Sequence, residues 1–237
     1  DSILIGHREK AGGEFEIPVP LYDLFPSRRY HYPFVRRRPF ATVLTDFGCP
    51  FPCTFCIMSE LGFKTRRVEN VMDELGTLKA KGYREIYFND QTFGAKRERT
   101  FLLLERMMEE HLNFGWVCFS RPDVLDGKLL DAMAKTGCHT VMLGVESARN
   151  EILGQYKKSI GIDRVMEAFE LCKRKGVRTV ATFLIGFPED DDESIRDTLD
   201  LAISLDPDYA SFNFAVPQRG TGLRAKAIAL GLAEPET

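Results

Sequence analysis

No apolar run in this sequence approaches the roughly 18 consecutive residues that a membrane-spanning helix needs, and the opening DSILIGHREK lacks the long apolar core of a secretory signal. Excess charge is missing too. Lys and Arg total 32 against 35 Asp and Glu, a net charge of −3, too small to draw the whole chain to nucleic acid or to a membrane surface. Internal repeats and low-complexity tracts are absent. What remains is ordinary globular composition, 44% hydrophobic and 28% charged over 237 residues, enough for one large α/β domain or two small ones. The expected compartment is the cytoplasm, where thiols stay reduced and a disulfide is disfavoured.

From Phe40 onward short β-rich runs alternate with amphipathic stretches. The sequence predicts strands at 40–46, 84–90, 115–120, 139–147, 177–187 and 209–216. Several are apolar nearly throughout, as strands buried on both faces are. Between them lie helical patterns, three of which run into Gly82, Gly137 and Gly176, residues suited to the left-handed position that ends a helix. The acids Glu189 to Asp192 stand at the start of the last predicted helix, where capping is the plain reading. Strand–helix alternation predicts a parallel sheet with right-handed crossovers. About six units fall short of the eight that close a full barrel. The expectation is therefore α/β, a partial, open (β/α)6 barrel of the TIM-barrel type over residues 40–237, with an open doubly wound sheet as the alternative. Residues 1–39, which hold five prolines before the first strand, predict an extended lead-in. Its arginines (Arg28, Arg29, Arg36, Arg37, Arg38) interleave with Tyr30, His31, Tyr32 and Phe34, a pattern suited to a solvated or domain-contacting linker, with nucleic-acid contact as the other reading.

The six cysteines divide into two groups. Cys118, Cys138 and Cys172 sit far apart in apolar or helical patterns and read as small buried hydrophobes. Cys49, Cys53 and Cys56 crowd into GCPFPCTFC. A structural zinc site closes with four Cys or His ligands, usually as two separated pairs. Here no second pair follows, and His7, His31, His111 and His139 show no ligand spacing with the three. An electron-transfer iron–sulfur cluster also takes four thiolates. Three thiolates leave one iron of a 4Fe-4S cube open, which catalysis uses and a structural site avoids.

This Cys-x3-Cys-x2-Cys, with Phe55 before its last cysteine and set just after the first strand of a β/α repeat, resembles the signature of the radical S-adenosylmethionine superfamily. The resemblance implies that Cys49, Cys53 and Cys56 hold a 4Fe-4S cluster whose fourth iron is chelated by S-adenosylmethionine, that an electron from the cluster releases a 5′-deoxyadenosyl radical, and that Phe55 packs near the adenine. It extends along the barrel. Asn89-Asp90-Gln91-Thr92-Phe93 resembles the Asp-x-x-Phe that one branch has where Gly-Gly-Glu is common, making Asp90 an acceptor for the methionine ammonium or a cap of its own loop. Ser120 and Arg121 occupy the rim after the third strand; Arg121 suits a carboxylate, or pairs with Asp123. Glu146 and Ser147 stand where ribose or methionine contacts are usual. ATFLIGFPE resembles Gly-x-Ile-x-Gly-x-x-Glu, with Gly186 and Glu189 matching, and Thr182 and Leu184 replacing glycine and isoleucine. VPQRGTGL resembles a Pro-x-x-Gly-Thr segment of the same branch.

That branch carries a cobalamin-binding domain ahead of the barrel and includes anaerobic ring cyclases and carbon methyltransferases. The resemblance covers about residues 15–231. No Asp-x-His-x-x-Gly segment precedes the barrel, so the chain is expected to be a fragment of a longer protein, with cobalamin held by the missing domain, or a relative without cobalamin. The implied function is a radical core that cleaves S-adenosylmethionine for methylation, cyclisation or another C–H activation of a small molecule. An external electron donor of the flavodoxin or ferredoxin type would serve it, and nucleic acid is not expected. No catalytic residue beyond the cofactor set is assigned. Two alternatives stay open: an iron–sulfur or zinc module without turnover, and an RNA-modifying radical enzyme using Arg36, Arg37 and Arg38.

Overall fold

The computed structural model describes residues 12–235, so His7 and the opening DSILIG lie outside the described residues. The chain begins with β1 (Glu14–Phe15) and two single-turn 3-10 helices, followed by β2 (Phe40–Val43), β3 (Asp46–Gly48) and β4 (Phe63–Arg66). Then come α1 (Val68–Ala80), β5 (Glu85–Phe88), α2 (Arg97–Glu109), β6 (Gly115–Ser120), α3 (Gly127–Lys135) and β7 (Cys138–Glu146). The remainder runs α4 (Asn150–Gln155), α5 (Ile162–Arg174), β8 (Arg178–Ile185), α6 (Asp192–Ser204), β9 (Tyr209–Phe214) and α7 (Gly222–Ala229).

Six strands form one sheet in the order β2-β5-β6-β7-β8-β9, every neighbouring pair parallel. A strand order that follows chain order excludes the doubly wound alternative, whose order reverses at a switch point. β2 and β9 do not pair with each other. The fold is an open partial barrel.

Side chains alternate across this sheet, as the strand period requires. Trp116 and Cys118 of β6, Val141, Leu143 and Val145 of β7, and Ala181 and Phe183 of β8 join Leu75, Leu103, Leu130 and Phe169 of the helices in the main core. Removing each such large apolar side chain from water contributes roughly 1.5–3 kcal/mol. Cys118 and Cys172 are fully buried there and Cys138 nearly so, as small hydrophobes. Val117, Met142 and Val180 belong to the opposite, inner face. The lead-in fills that face at the N-terminal half of the strands. Tyr32, Phe34 and Val35 pack on it; Tyr32 stacks on Tyr87 with ring centroids 4.7 Å apart, and its hydroxyl donates to the Met142 sulfur at 3.2 Å.

The first predicted strand, 40–46, is two strands. It ends at Val43 because the Asp90 carboxylate accepts from Thr45 N at 2.6 Å and Asp46 N at 3.0 Å, pulling the chain out of the sheet. β3 then pairs antiparallel with β4, and β1 pairs parallel with β4 on its other side. This ribbon, which periodicity did not announce, closes residues 49–62 into a hairpin loop. Gly48 makes the closure possible: its φ is +78°, and a Cβ there would lie 1.8 Å from the Gly62 carbonyl oxygen. Gly82, Gly137 and Gly176 take positive φ at the helix ends, as expected. In the acidic run, Asp191 is the N-cap, accepting from Ser194 N at 2.8 Å while Ser194 Oγ accepts from Asp191 N at 2.9 Å.

β9 departs from the pattern of the buried strands. It forms one open edge of the sheet and five of its six residues are exposed, Phe214 to 77%. Among the described residues no helix covers it; α7 swings back to the mouth of the barrel, where Leu223 N donates to Thr54 O at 3.2 Å.

Candidate active site

Residues 49–62 lie at the C-terminal ends of the strands, the end at which barrel loops gather ligands. The loop is held from three sides. Cys49 N donates to Gly62 O at 3.1 Å, Cys56 N to Cys53 O at 3.1 Å, and Thr54 N to Tyr156 O at 2.9 Å. Ser59 Oγ donates to the carbonyls of Cys56 at 2.8 Å and Cys53 at 3.1 Å. These bonds fix the backbone between the thiols without engaging the sulfurs.

All three thiols line one cavity of about 200 Å³, together with Phe55, Ser120, Arg121, Glu146 and Thr182 from the expected set. Phe55 is boxed edge-on by Tyr156 at 6.3 Å and Phe187 at 5.9 Å, and those two rings stack at 4.8 Å. Ser120 is buried, its hydroxyl donating to Phe93 O at 2.8 Å. Thr182 Oγ1 donates to Leu143 O at 3.3 Å. Glu146 ends β7 at φ +72°, beyond a register shift between Gly144 and Glu146 that turns its side chain over the cavity. Such shifts re-aim side chains beside active sites.

Asn89, Asp90, Ser147 and Gly186 do not line the cavity. Asn89 is exposed. Asp90 is 1% exposed, both its oxygens committed to Thr45 and Asp46; it braces the turn after β2, distant in sequence, rather than capping its own loop. Ser147 is buried and its Oγ accepts from Arg149 N at 3.2 Å. Gly186 N donates to Asp190 Oδ2 at 2.8 Å in the turn before α6. Glu189 accepts from the Tyr156 hydroxyl at 2.8 Å and pairs with Lys226, tying α4 to the α7 clamp.

Lys158 and Thr92 are among the cavity residues that the sequence reading did not assign to the site. Lys158, 3% exposed, donates to Gly144 O at 2.9 Å and to Glu146 Oε1 at 2.5 Å. Thr92 Oγ1 lies 3.7 Å from Cys49 Sγ. Neither belongs to a periodic pattern; Lys158 sits in GQYKKSIG, which reads as a solvated turn, and only the β7 shift brings a carboxylate to it.

The protein surroundings favour the neutral thiols at Cys53 and Cys56. Burial pushes the Cys53 and Cys56 thiols up, and at Cys53 the cations Arg121 and Lys158 oppose the rise. Among the described residues no three His, Cys, Asp or Glu side chains converge as a single ion requires. Thiols spread around one cavity fit a polynuclear cluster, in which each thiolate meets its own iron. The donor set therefore accommodates a three-thiolate iron–sulfur cluster with one position left open.

A parallel partial barrel presenting three thiols at its C-terminal mouth defines a class of cluster-binding α/β enzymes. Residues 44–202 match the Radical SAM superfamily, and the chain belongs to that family. The family's cofactors are a 4Fe-4S cluster and S-adenosylmethionine. An uncharacterized methyltransferase of Pyrococcus horikoshii is 39% identical over 221 residues, 92% of this chain and 48% of that protein. The tryptophan 2-C-methyltransferase of Streptomyces laurentii is 24% identical over 232 residues, 90% of this chain and 39% of that protein. A radical S-adenosylmethionine methyltransferase from Kitasatospora setae, solved with cobalamin and a 4Fe-4S cluster bound, shares the fold at a TM-score of 0.69 and 22% identity, over 74% of this chain and 34% of that one. The chain thus spans about half or less of the length of these curated relatives. Among the described residues no helix is long and apolar enough to cross a membrane.

Proposed function

We propose that this chain is the radical core of a methyltransferase that modifies an unactivated carbon of a small molecule, with cobalamin supplied by a domain outside these residues. The observation that carries the reading is the placement of Cys49, Cys53 and Cys56 around a single cavity at the barrel mouth. The 39% identity to a methyltransferase over nearly the whole chain supports methylation over cyclisation.

Bound there, the cluster and S-adenosylmethionine supply one-electron chemistry that the side chains themselves lack. The chain's part is to bind, orient and exclude water. Phe55, held edge-on by Tyr156 and Phe187, offers the adenine an apolar wall. Thr182 and the Glu146–Lys158 pair offer polar groups across from it. Tyr32 and Phe34 plug the inner face beneath, keeping water from the reactive end. An electron donor of the flavodoxin or ferredoxin type serves the site, and the cytoplasm is the fitting compartment for free thiols. The RNA reading loses support, since Tyr32 and Phe34 are spent on packing rather than available as stacking platforms.

The test is product analysis of the anaerobic full-length protein with dithionite, cobalamin and S-adenosylmethionine. Methyl donation leaves S-adenosylhomocysteine and reductive cleavage leaves 5′-deoxyadenosine; both are expected. Absence of 5′-deoxyadenosine from iron-loaded protein rejects the reading.

A further inference from the structure

Three of the five N–H donors of the Arg121 guanidinium are committed. Nε and Nη2 donate to Asp123 Oδ1 and Oδ2, each at 3.0 Å, the planar fork on which a ligand carboxylate would otherwise dock. Nη1 donates to Cys53 Sγ at 3.2 Å. The Phe51 ring lies 3.9 Å from the guanidinium carbon and fixes its plane. Arg121 is 9% exposed, so the contact with sulfur is made where solvent screens little. A ligand carboxylate would have to displace Asp123 to reach the Nε–Nη2 fork, and Nη1 already donates to a thiol.

We infer that Arg121 is a positioning residue that acts on the cluster through the Cys53 sulfur, raising the cluster's reduction potential, rather than a binder of the methionine carboxylate. The inference rests on the cluster reading above and deepens it. Adding an electron places more negative charge on the sulfurs, and hydrogen bonds and cations at those sulfurs favour the reduced state. Asp123 has two effects of opposite sign: it aims the guanidinium at Cys53, and it offsets part of its charge. Phe51 supplies the remaining constraint, so the fork stays planar beside the sulfur when its carboxylate partner is neutral. Lys158 adds positive potential at Cys53 but forms its hydrogen bonds elsewhere, with Gly144 and Glu146. Arg121 is therefore the cation that touches the cluster's ligand set.

The account makes a signed prediction. Arg121→Met removes both the N–H···S bond and the charge, and lowers the potential. Asp123→Asn keeps the guanidinium beside Cys53 through Phe51 and removes the offsetting anion, and raises it. A purely structural role would disturb the loop in both variants and shift them together or not at all.

The experiment is a redox titration of the full-length, anaerobically reconstituted protein and both variants, followed by electron paramagnetic resonance, with iron content and S-adenosylmethionine affinity measured alongside. The expected result is a downward midpoint shift for Arg121→Met and an upward shift for Asp123→Asn, with the affinity for S-adenosylmethionine changed less than about threefold. Unshifted midpoints in iron-loaded variants overturn the inference while leaving the family reading intact, as does a tenfold or greater loss of S-adenosylmethionine binding in Arg121→Met without a potential shift, which would return Arg121 to the carboxylate. If Arg121→Met does not load iron, Asp123→Asn alone decides by the sign of its shift. A wild-type protein without a reducible cluster overturns both readings.

Discussion

Lys158 Nζ lies 2.5 Å from Glu146 Oε1 in a pair almost sealed from solvent, the side chains 4% and 13% exposed. Breaking one partner of such a pair leaves an uncompensated charge, which costs about 3–5 kcal/mol when fully buried. Lys158→Met should therefore destabilise the protein by several kcal/mol, Glu146→Gln by less, and the double variant by clearly less than the sum. Denaturant unfolding of the four proteins gives the coupling energy, expected at about 1 kcal/mol or more. Additive losses would mean that the pair does not hold the end of β7.

Asp46 and Asp90 make stability depend on pH. Burial, and then the neighbouring Asp90, push the Asp46 carboxyl up to about 9, against the opposing pull of Arg99. A folded pKa above the unfolded one gives stability that is fully present below the usual carboxylate range and is lost as pH rises through about 9. Between roughly pH 6 and 9 the wild-type melting temperature should fall, and Asp46→Asn should flatten that slope, gaining about 1–3 kcal/mol at the alkaline end. Thermal unfolding across that range decides it; parallel slopes in both proteins contradict it.

Gly48 should tolerate no side chain. Its positive φ and the Gly62 carbonyl 1.8 Å from an added Cβ mean that Gly48→Ala must open the β3–β4 closure. A loss above about 2 kcal/mol is expected, together with reduced iron uptake, because Cys49 follows directly. Equal iron content in Gly48→Ala and wild type would show that the loop holds its thiols without the ribbon.

The two cysteine groups should separate cleanly. Cys49→Ala, Cys53→Ala and Cys56→Ala should each prevent uptake of the roughly four irons of the cluster. Cys118→Ala, Cys138→Ala and Cys172→Ala should keep the iron and lose only packing, about 1 kcal/mol apiece. Iron and sulfide assays after anaerobic reconstitution read this directly.

What the sequence disclosed follows from which forces are local. β6, β7 and β8 announced themselves because burial on both faces demands apolar residues at nearly every position, and their observed bounds differ from the expected ones by at most two residues. The thiols were legible because ligand spacing is a short-range property. β3, β4 and α4 were not, since three to six residues carry no period and their places are set by contacts distant in sequence, Asp90 on Thr45 above all. The division of the expected site residues between those lining the cavity and those turned away is decided by individual hydrogen bonds. Asp90 and Ser147 have the right chemistry at the right strand ends, yet Asp90 is consumed by the turn after β2 and Ser147 by its own neighbour Arg149. Lys158 shows the converse: an unremarkable turn lysine becomes a cavity residue because a single register shift in β7 places a carboxylate and a carbonyl within its reach.

The central claim, that three thiolates hold a cluster with an open iron, is tested most directly by electron paramagnetic resonance of the reconstituted, dithionite-reduced protein with and without S-adenosylmethionine. The account predicts a reduced 4Fe-4S signal that changes when S-adenosylmethionine is added. A cluster signal indifferent to S-adenosylmethionine, or zinc in place of iron, would contradict it.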